Sequence, residues 1–108
     1  MALTADILRG YTESIILRQL ERGDSYGYAI NKRVMALTGG ALELKEATLY
    51  TAFRRLEGAG SIRSYWGDEQ TGARRRYYAI TPAGREKLRA DVDAWRETKA
   101  QIDQLLEG

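Results

Sequence analysis

Between residues 44 and 62 the chain reads LKEATLYTAFRRLEGAGSI, and Thr48, Thr51, Arg54 and Arg55 turn to the polar side of one helical period. Hydroxyl and guanidinium groups on one face bind phosphate oxygens and base edges in the major groove of DNA, which is the chemistry of a recognition helix. Leu49, Phe53 and Leu56 recur at i, i+4 and i+7 and supply the packing face. An ordinary amphipathic surface helix carries the same pattern, so the flanking sequence has to decide. A second basic group follows at Arg74, Arg75 and Arg76. Alternate residues of a strand point to opposite faces, so these three arginines cannot all enter a core.

Composition excludes several alternatives. The 108 residues contain no histidine and no cysteine, which removes the usual zinc ligands, the commonest general base, disulfides and thiol sensors. Neither metal nor cofactor is expected, and no paired carboxylates or lysines suggest catalysis. The expectation is therefore not an enzyme. The first twenty residues are broken by Asp6, Arg9, Glu13 and Arg18, unlike a signal peptide, and no later apolar run reaches membrane-spanning length. This reads as a soluble, cytoplasmic protein without a membrane partner. Net charge is only +2, but residues 45 to 89 hold ten basic and five acidic side chains, whereas residues 90 to 108 hold two and five. The basic surplus coincides with the candidate recognition helix and the arginine run, as a phosphate-binding surface requires.

The elements that would position these groups follow from periodicity. Residues 4 to 21 carry Ile7, Leu8, Tyr11, Ile15, Ile16 and Leu20 as a wide helical stripe that continues past Gly10. Asp24 or Ser25 is placed to cap a second helix bearing Tyr26, Ile30, Val34 and Leu37, which Thr38-Gly39-Gly40 ends. The connection to the third helix is too long for a simple helix-turn-helix and leaves room for a short strand or extended piece around Leu42 and Leu44. The third helix spans about residues 46 to 57. Alternation over residues 61 to 66 and 73 to 80, around a polar interval at 67 to 72, predicts a β-hairpin. Thr81-Pro82 starts a long last helix with Leu88, Val92, Trp95, Ile102 and Leu105 or Leu106 on one side. An exposed stripe of that kind favours pairing with a second subunit over folding back on the first helix. The fold class is thus mainly α with a small β-hairpin, a winged helix-turn-helix with a long C-terminal dimerisation helix. Residues 1 to 80 form the DNA-binding region and residues 81 to 108 the dimerisation helix, as one unit.

Several segments together resemble the PadR-like winged-helix transcriptional regulators, in particular the short members of that family. They are Ser25-Tyr26-Gly27-Tyr28-Ala29-Ile30, Leu44-Lys45-Glu46-Ala47-Thr48-Leu49-Tyr50, Arg55-Leu56-Glu57, Tyr65-Trp66-Gly67-Asp68-Glu69 and Arg74-Arg75-Arg76-Tyr77-Tyr78-Ala79-Ile80-Thr81. The likeness runs from about residue 7 to residue 95, and order and spacing make it specific. It implies a homodimer, formed through the first and last helices, that binds a pseudo-palindromic operator, usually as a repressor released by a small molecule or another signal. Lys45, Thr48, Tyr50, Thr51 and Arg54 would then belong to the recognition helix or its entry. Tyr28 would approach the phosphate backbone, as would Tyr26, which suits a core position equally. Arg74, Arg75 and Arg76 would lie near the minor groove or its phosphates. Arg55 stays open between phosphate contact and solvated surface. Many members carry proline after the Leu-Tyr pair, where this chain has Thr51-Ala52. Asp68 and Glu69 repel phosphate, which favours the strand arginines over the wing tip.

Some multidrug-sensing relatives bind planar hydrophobic molecules against aromatic residues of the last helix. Trp95 holds a similar place, with Leu8 and Ile15 or Ile16 as walls. The competing reading makes Trp95 a dimer-core residue and Trp66 wing or core packing. A different class of function, a winged-helix protein-interaction module without DNA binding, uses the same scaffold.

Overall fold

Thr4 opens the first helix by accepting a hydrogen bond from the Ile7 amide at 3.3 Å, but the helix lasts only five residues. The computed structural model describes residues 3–67 and 74–108. It divides the expected helix over residues 4–21 into α1 (Ala5–Arg9) and α2 (Thr12–Glu21). Gly10 favours helix less than other residues do, and at Tyr11 the backbone leaves helical geometry with φ −122° and ψ −6°. The Thr12 hydroxyl then donates to the Leu8 carbonyl at 2.9 Å and closes the break. Downstream of it, Ile16, Leu17 and Leu20 are fully buried, and α2 becomes the central helix of the domain.

Helix α3 (Gly27–Leu37) begins after Tyr26, which makes no side-chain cap. Neither Asp24 nor Ser25 caps it, because the cap position falls one residue later, at Tyr26, and both residues meet the hairpin instead. The Asp24 carboxylate accepts from the Tyr65 hydroxyl at 2.6 Å. Ser25 pairs through its backbone with Tyr78, the two amides donating at 3.1 and 2.8 Å. Residues 42–45 form neither helix nor strand. Leu42 and Leu44 are buried there, and their amides donate to the Thr38 hydroxyl at 3.1 Å and the Asn31 side-chain oxygen at 2.8 Å. Asn31 of α3 and Thr38 at its C-terminal cap thus replace a sheet neighbour in satisfying that backbone.

Helix α4 (Glu46–Gly58) buries Leu49, Ala52, Phe53 and Leu56 against α2 and α3. Gly60, at φ +77°, turns the chain so that the Ser61 amide reaches back to the Leu56 carbonyl at 2.8 Å. Strands β1 (Ile62–Trp66) and β2 (Arg76–Ile80) pair antiparallel in the register Ile62 to Ile80 and Trp66 to Arg76. The expected wing-tip residues Asp68 and Glu69, and the start of the second strand at Ala73, lie outside the described residues. Tyr78 stacks on Phe53 with ring centroids 3.9 Å apart and planes 15° apart, which fastens the hairpin to α4.

Helix α5 (Pro82–Glu107) is capped by the Thr81 hydroxyl, which accepts from the Gly84 amide at 3.1 Å, with Pro82 in the first turn. Leu88 enters the core, Val92 packs against it, and the Ser14 hydroxyl donates to Asp91 at 2.8 Å. Farther along, Ile102, Leu105 and Leu106 are exposed. The first half of α5 therefore folds back on α2, and among the described residues nothing covers the apolar stripe of the second half. Among the described residues no helix is long and apolar enough to cross a membrane.

Candidate nucleic-acid interface

The four buried residues of α4 fill one arc of the helix, and Thr51 and Arg54 stand at the middle of the opposite arc. Both are exposed, and no ion pair among the described residues engages Arg54. Thr48 and Arg55 lie at the edge of that arc toward α2, and Tyr50 lies at the other edge. Lys45, extended at φ −67° and ψ 146°, is the exposed residue at which the chain enters the helix. The Tyr50 ring meets Phe53 edge-on at 5.7 Å. Its hydroxyl lies 3.6 Å from where a Cβ on Gly27 would stand. Tyr50 thereby leans from α4 toward the start of α3 while remaining 45% exposed.

At that start Tyr28 is 68% exposed, and the Lys32 ammonium lies 5.5 Å from its ring centroid. The contact is a cation–π pair that holds a positive charge beside a phenol. Lys32 was not among the residues singled out from the sequence. Its signal is the i, i+4 spacing from Tyr28, which marks two side chains on one helical face.

Alternation separates the three wing arginines. The Arg74 guanidinium lies 4.6 Å from the Trp66 ring centroid and that of Arg76 lies 5.7 Å from it. Arg75 turns the other way and lies 4.8 Å from the Tyr26 ring. Arg76 is further engaged: it donates to the Ser64 hydroxyl at 2.8 Å and pairs with Glu57 at 3.8 Å, while Ser64 donates to Glu57 at 2.7 Å. That network binds the hairpin to the end of α4, so Arg76 has a structural partner that strand alternation alone did not predict. Arg55 is likewise met by a carboxylate, Glu13 of α2, at 3.4 Å. The structure thus brings Lys45, Thr48, Tyr50, Thr51 and Arg54 onto one helix, sets Tyr28 beside it, and places Arg74 and Arg75 on the hairpin. It ties Arg55 and Arg76 to acidic neighbours.

Both tyrosines of the hairpin's first contacts have raised phenol pKa values. The hydrogen bond to Asp24 pushes Tyr65 up, with burial adding to it. Burial pushes Tyr78 up, and the nearby Arg76 opposes that shift.

The residues expected to hold an effector divide differently. Leu8, Ile15 and Trp95 line an apolar cavity of about 380 Å³ together with Val34, Leu88 and Val92. Trp95 meets Tyr11 edge-on at 5.4 Å. Ile16 does not line this cavity: it is fully buried in the core beside Leu17 and Leu20. Consecutive helical residues point about 100° apart, and here Ile15 turns to the cleft while Ile16 turns into the core. Among the described residues no cluster of three His, Cys, Asp or Glu side chains could hold a metal.

A family model described as the transcriptional regulator PadR-like family matches residues 16–90. A protein of Lysinibacillus sphaericus is 43% identical over 104 residues, covering 96% of this chain and 95% of its own. A transcriptional regulator from Clostridium thermocellum superposes with a TM-score of 0.87 at 44% identity, over 94% of this chain and 99% of its own. A PadR family transcription regulator from Clostridium difficile R20291 does so with a TM-score of 0.79 at 38% identity, over 89% and 98%.

Proposed function

The chain belongs to the PadR-like family of transcriptional regulators, and on that premise we propose that it binds a double-stranded operator as a homodimer and represses until a small molecule relieves it. It is a regulator and not an enzyme. The observation that carries the DNA reading is the exposed arc of α4, with Thr51 and Arg54 at its centre. Arg74 and Arg75 of the hairpin and Tyr28 with Lys32 of α3 supply the flanking phosphate contacts. Arg54 is the residue for base edges, and the wing and α3 groups fix the register of the protein on the duplex.

Dimerisation is supported by the uncovered stripe of α5, where Leu105 and Leu106 are 83% and 78% exposed. Burying one leucine side chain stabilises by about 1.5–3 kcal/mol, which a partner helix would recover at several positions. The effector reading is supported by the apolar cavity beside Trp95, whose volume suits a small planar hydrophobic molecule. A cytoplasmic location fits such action on chromosomal DNA.

The test is the affinity of the purified protein for a duplex that it selects from random DNA, measured against salt. A dimer neutralising about six phosphates should lose affinity on the order of a thousandfold between about 50 and about 200 mM salt. A flat salt response, or failure to select any duplex, would overturn the proposal.

A further inference from the structure

Three consecutive residues, Asp24, Ser25 and Tyr26, each hold the hairpin by a different means. The Asp24 carboxylate accepts the Tyr65 hydroxyl at 2.6 Å. The Ser25 backbone pairs with Tyr78. The Tyr26 ring meets Tyr77 edge-on at 5.4 Å, and Tyr77 stacks on its cross-strand partner Tyr65 at 5.7 Å with planes 15° apart. The circuit closes on itself: Asp24, Tyr65, Tyr77 and Tyr26 form a ring of contacts between the hairpin and the residues that lead into α3.

The same Tyr26 ring carries the Arg75 guanidinium at 4.8 Å, and the Arg75 carbonyl accepts from the Gly67 amide at 2.7 Å. A Cβ on Gly67 would come within 2.3 Å of the Tyr77 ring, so the chain passes directly against this aromatic stack. Arg55 and Arg76 have their charges met by Glu13 and Glu57. No carboxylate among the described residues pairs with Arg75. An exposed acid such as Asp24 beside a phosphate-binding surface opposes DNA by charge, and its hydrogen bond to Tyr65 gives it a compensating role.

We infer that Asp24 and Tyr65 are positioning residues for DNA binding: through the Tyr65–Tyr77–Tyr26 stack they hold Arg75 in place for a backbone phosphate before the duplex arrives. This rests on the DNA-binding reading given above. A long cationic side chain loses rotamer freedom when it contacts a ligand, and restricting it beforehand removes part of that cost. Tyr65 need not touch DNA for its hydroxyl to matter.

The probe is a duplex selected from random sequence by the wild-type protein, and the variants are Tyr65→Phe, Arg75→Ala, their combination, Asp24→Asn and Asp24→Ala. Tyr65→Phe removes one hydroxyl and should weaken binding roughly threefold to tenfold, the span expected for one net hydrogen bond. It should also flatten the slope of log affinity against log salt, by up to about two units for one phosphate lost at each of two wings. With Arg75→Ala already present, Tyr65→Phe should add nothing further. Asp24→Asn keeps an acceptor for the hydroxyl and should bind more tightly than Asp24→Ala, although both remove the same charge.

Unchanged affinity and slope in Tyr65→Phe, or full additivity with Arg75→Ala, would overturn the inference while leaving DNA binding intact. If wild type selects no duplex, the DNA-binding reading falls and takes the inference with it. If Tyr65→Phe unfolds, the Asp24→Asn and Asp24→Ala pair decides, since it leaves every ring in place: equal affinities overturn the inference.

Discussion

Arg54 and Arg55 are neighbours in the chain, and their surroundings give them different work. Arg55 lies within 3.4 Å of Glu13, whereas Arg54 stands at the centre of the exposed arc of α4. Arg54→Ala should therefore weaken binding to a selected duplex by about 1–3 kcal/mol and relax base preference at one position. Arg55→Ala, whose charge already has a partner, should cost less than about 1 kcal/mol. Equal losses in a binding assay would mean that the Glu13 contact yields to DNA. Tyr65 offers a prediction in pH. Its hydrogen bond to Asp24 raises the phenol above the ordinary value of 10, so the folded state holds its proton more tightly than the unfolded state. That contribution to stability is complete below pH 10 and is lost as pH rises through the raised value. In Tyr65→Phe the urea midpoint should fall less steeply above pH 10 than in wild type, with the buried Tyr78 titrating in both. Parallel profiles would show that the bond adds no stability.

The elements owe their relative placement to a few close approaches. α5 leaves the hairpin so near the turn after α4 that a Cβ on Gly84 would lie 2.0 Å from the Ser61 carbonyl oxygen and 2.8 Å from Ile80. The obstacle is largely backbone, which cannot swing aside as a flexible side chain can. Gly84→Ala should destabilise the fold by about 1–3 kcal/mol, the usual range for overpacking, despite the better helix propensity of alanine. Urea denaturation checks this, and a neutral result would mean that α5 can shift along the sheet. Phe53 has a comparable function between elements, since its stacking on Tyr78 joins α4 to β2. The angle between α4 and the hairpin is thereby set in the core, and the Arg76, Glu57 and Ser64 network repeats the link at the surface.

At the scale of the molecule the chain is longer than a compact domain of its size. Its radius of gyration is 15.2 Å, against about 13 Å for a typical domain of about 100 residues. The excess comes from α5, whose 26 residues run about 39 Å while only its first half packs on α2. The protruding half carries Ile102, Leu105 and Leu106 without cover. Replacing Leu105 and Leu106 with aspartate should shift the proposed dimer to monomer in sedimentation experiments and leave the monomer fold intact, because neither residue belongs to its core. Unchanged sedimentation would move the interface away from this stripe.

Periodicity, capping residues and charge in the sequence alone were enough to determine the order of the main elements from the second helix on, the packing and exposed faces of α4, and the cap of α5. Each depends on contacts within about one turn of the chain or on alternation along a strand. The PadR-like assignment was legible from motif order for the same reason, since the motifs lie within those elements. Only tertiary structure decided that the first helix breaks at Tyr11, that Leu42 and Leu44 form no strand, that Ser25 edges the hairpin, and that Ile16 belongs to the core. It also separated Arg54 from Arg55 and Arg75 from Arg76. Those outcomes depend on Glu13, Glu57, Tyr65 and Tyr78 coming into reach from distant parts of the chain. Local propensity is silent on such partners, because a hydrogen bond or ion pair across 40 residues leaves no period in the sequence.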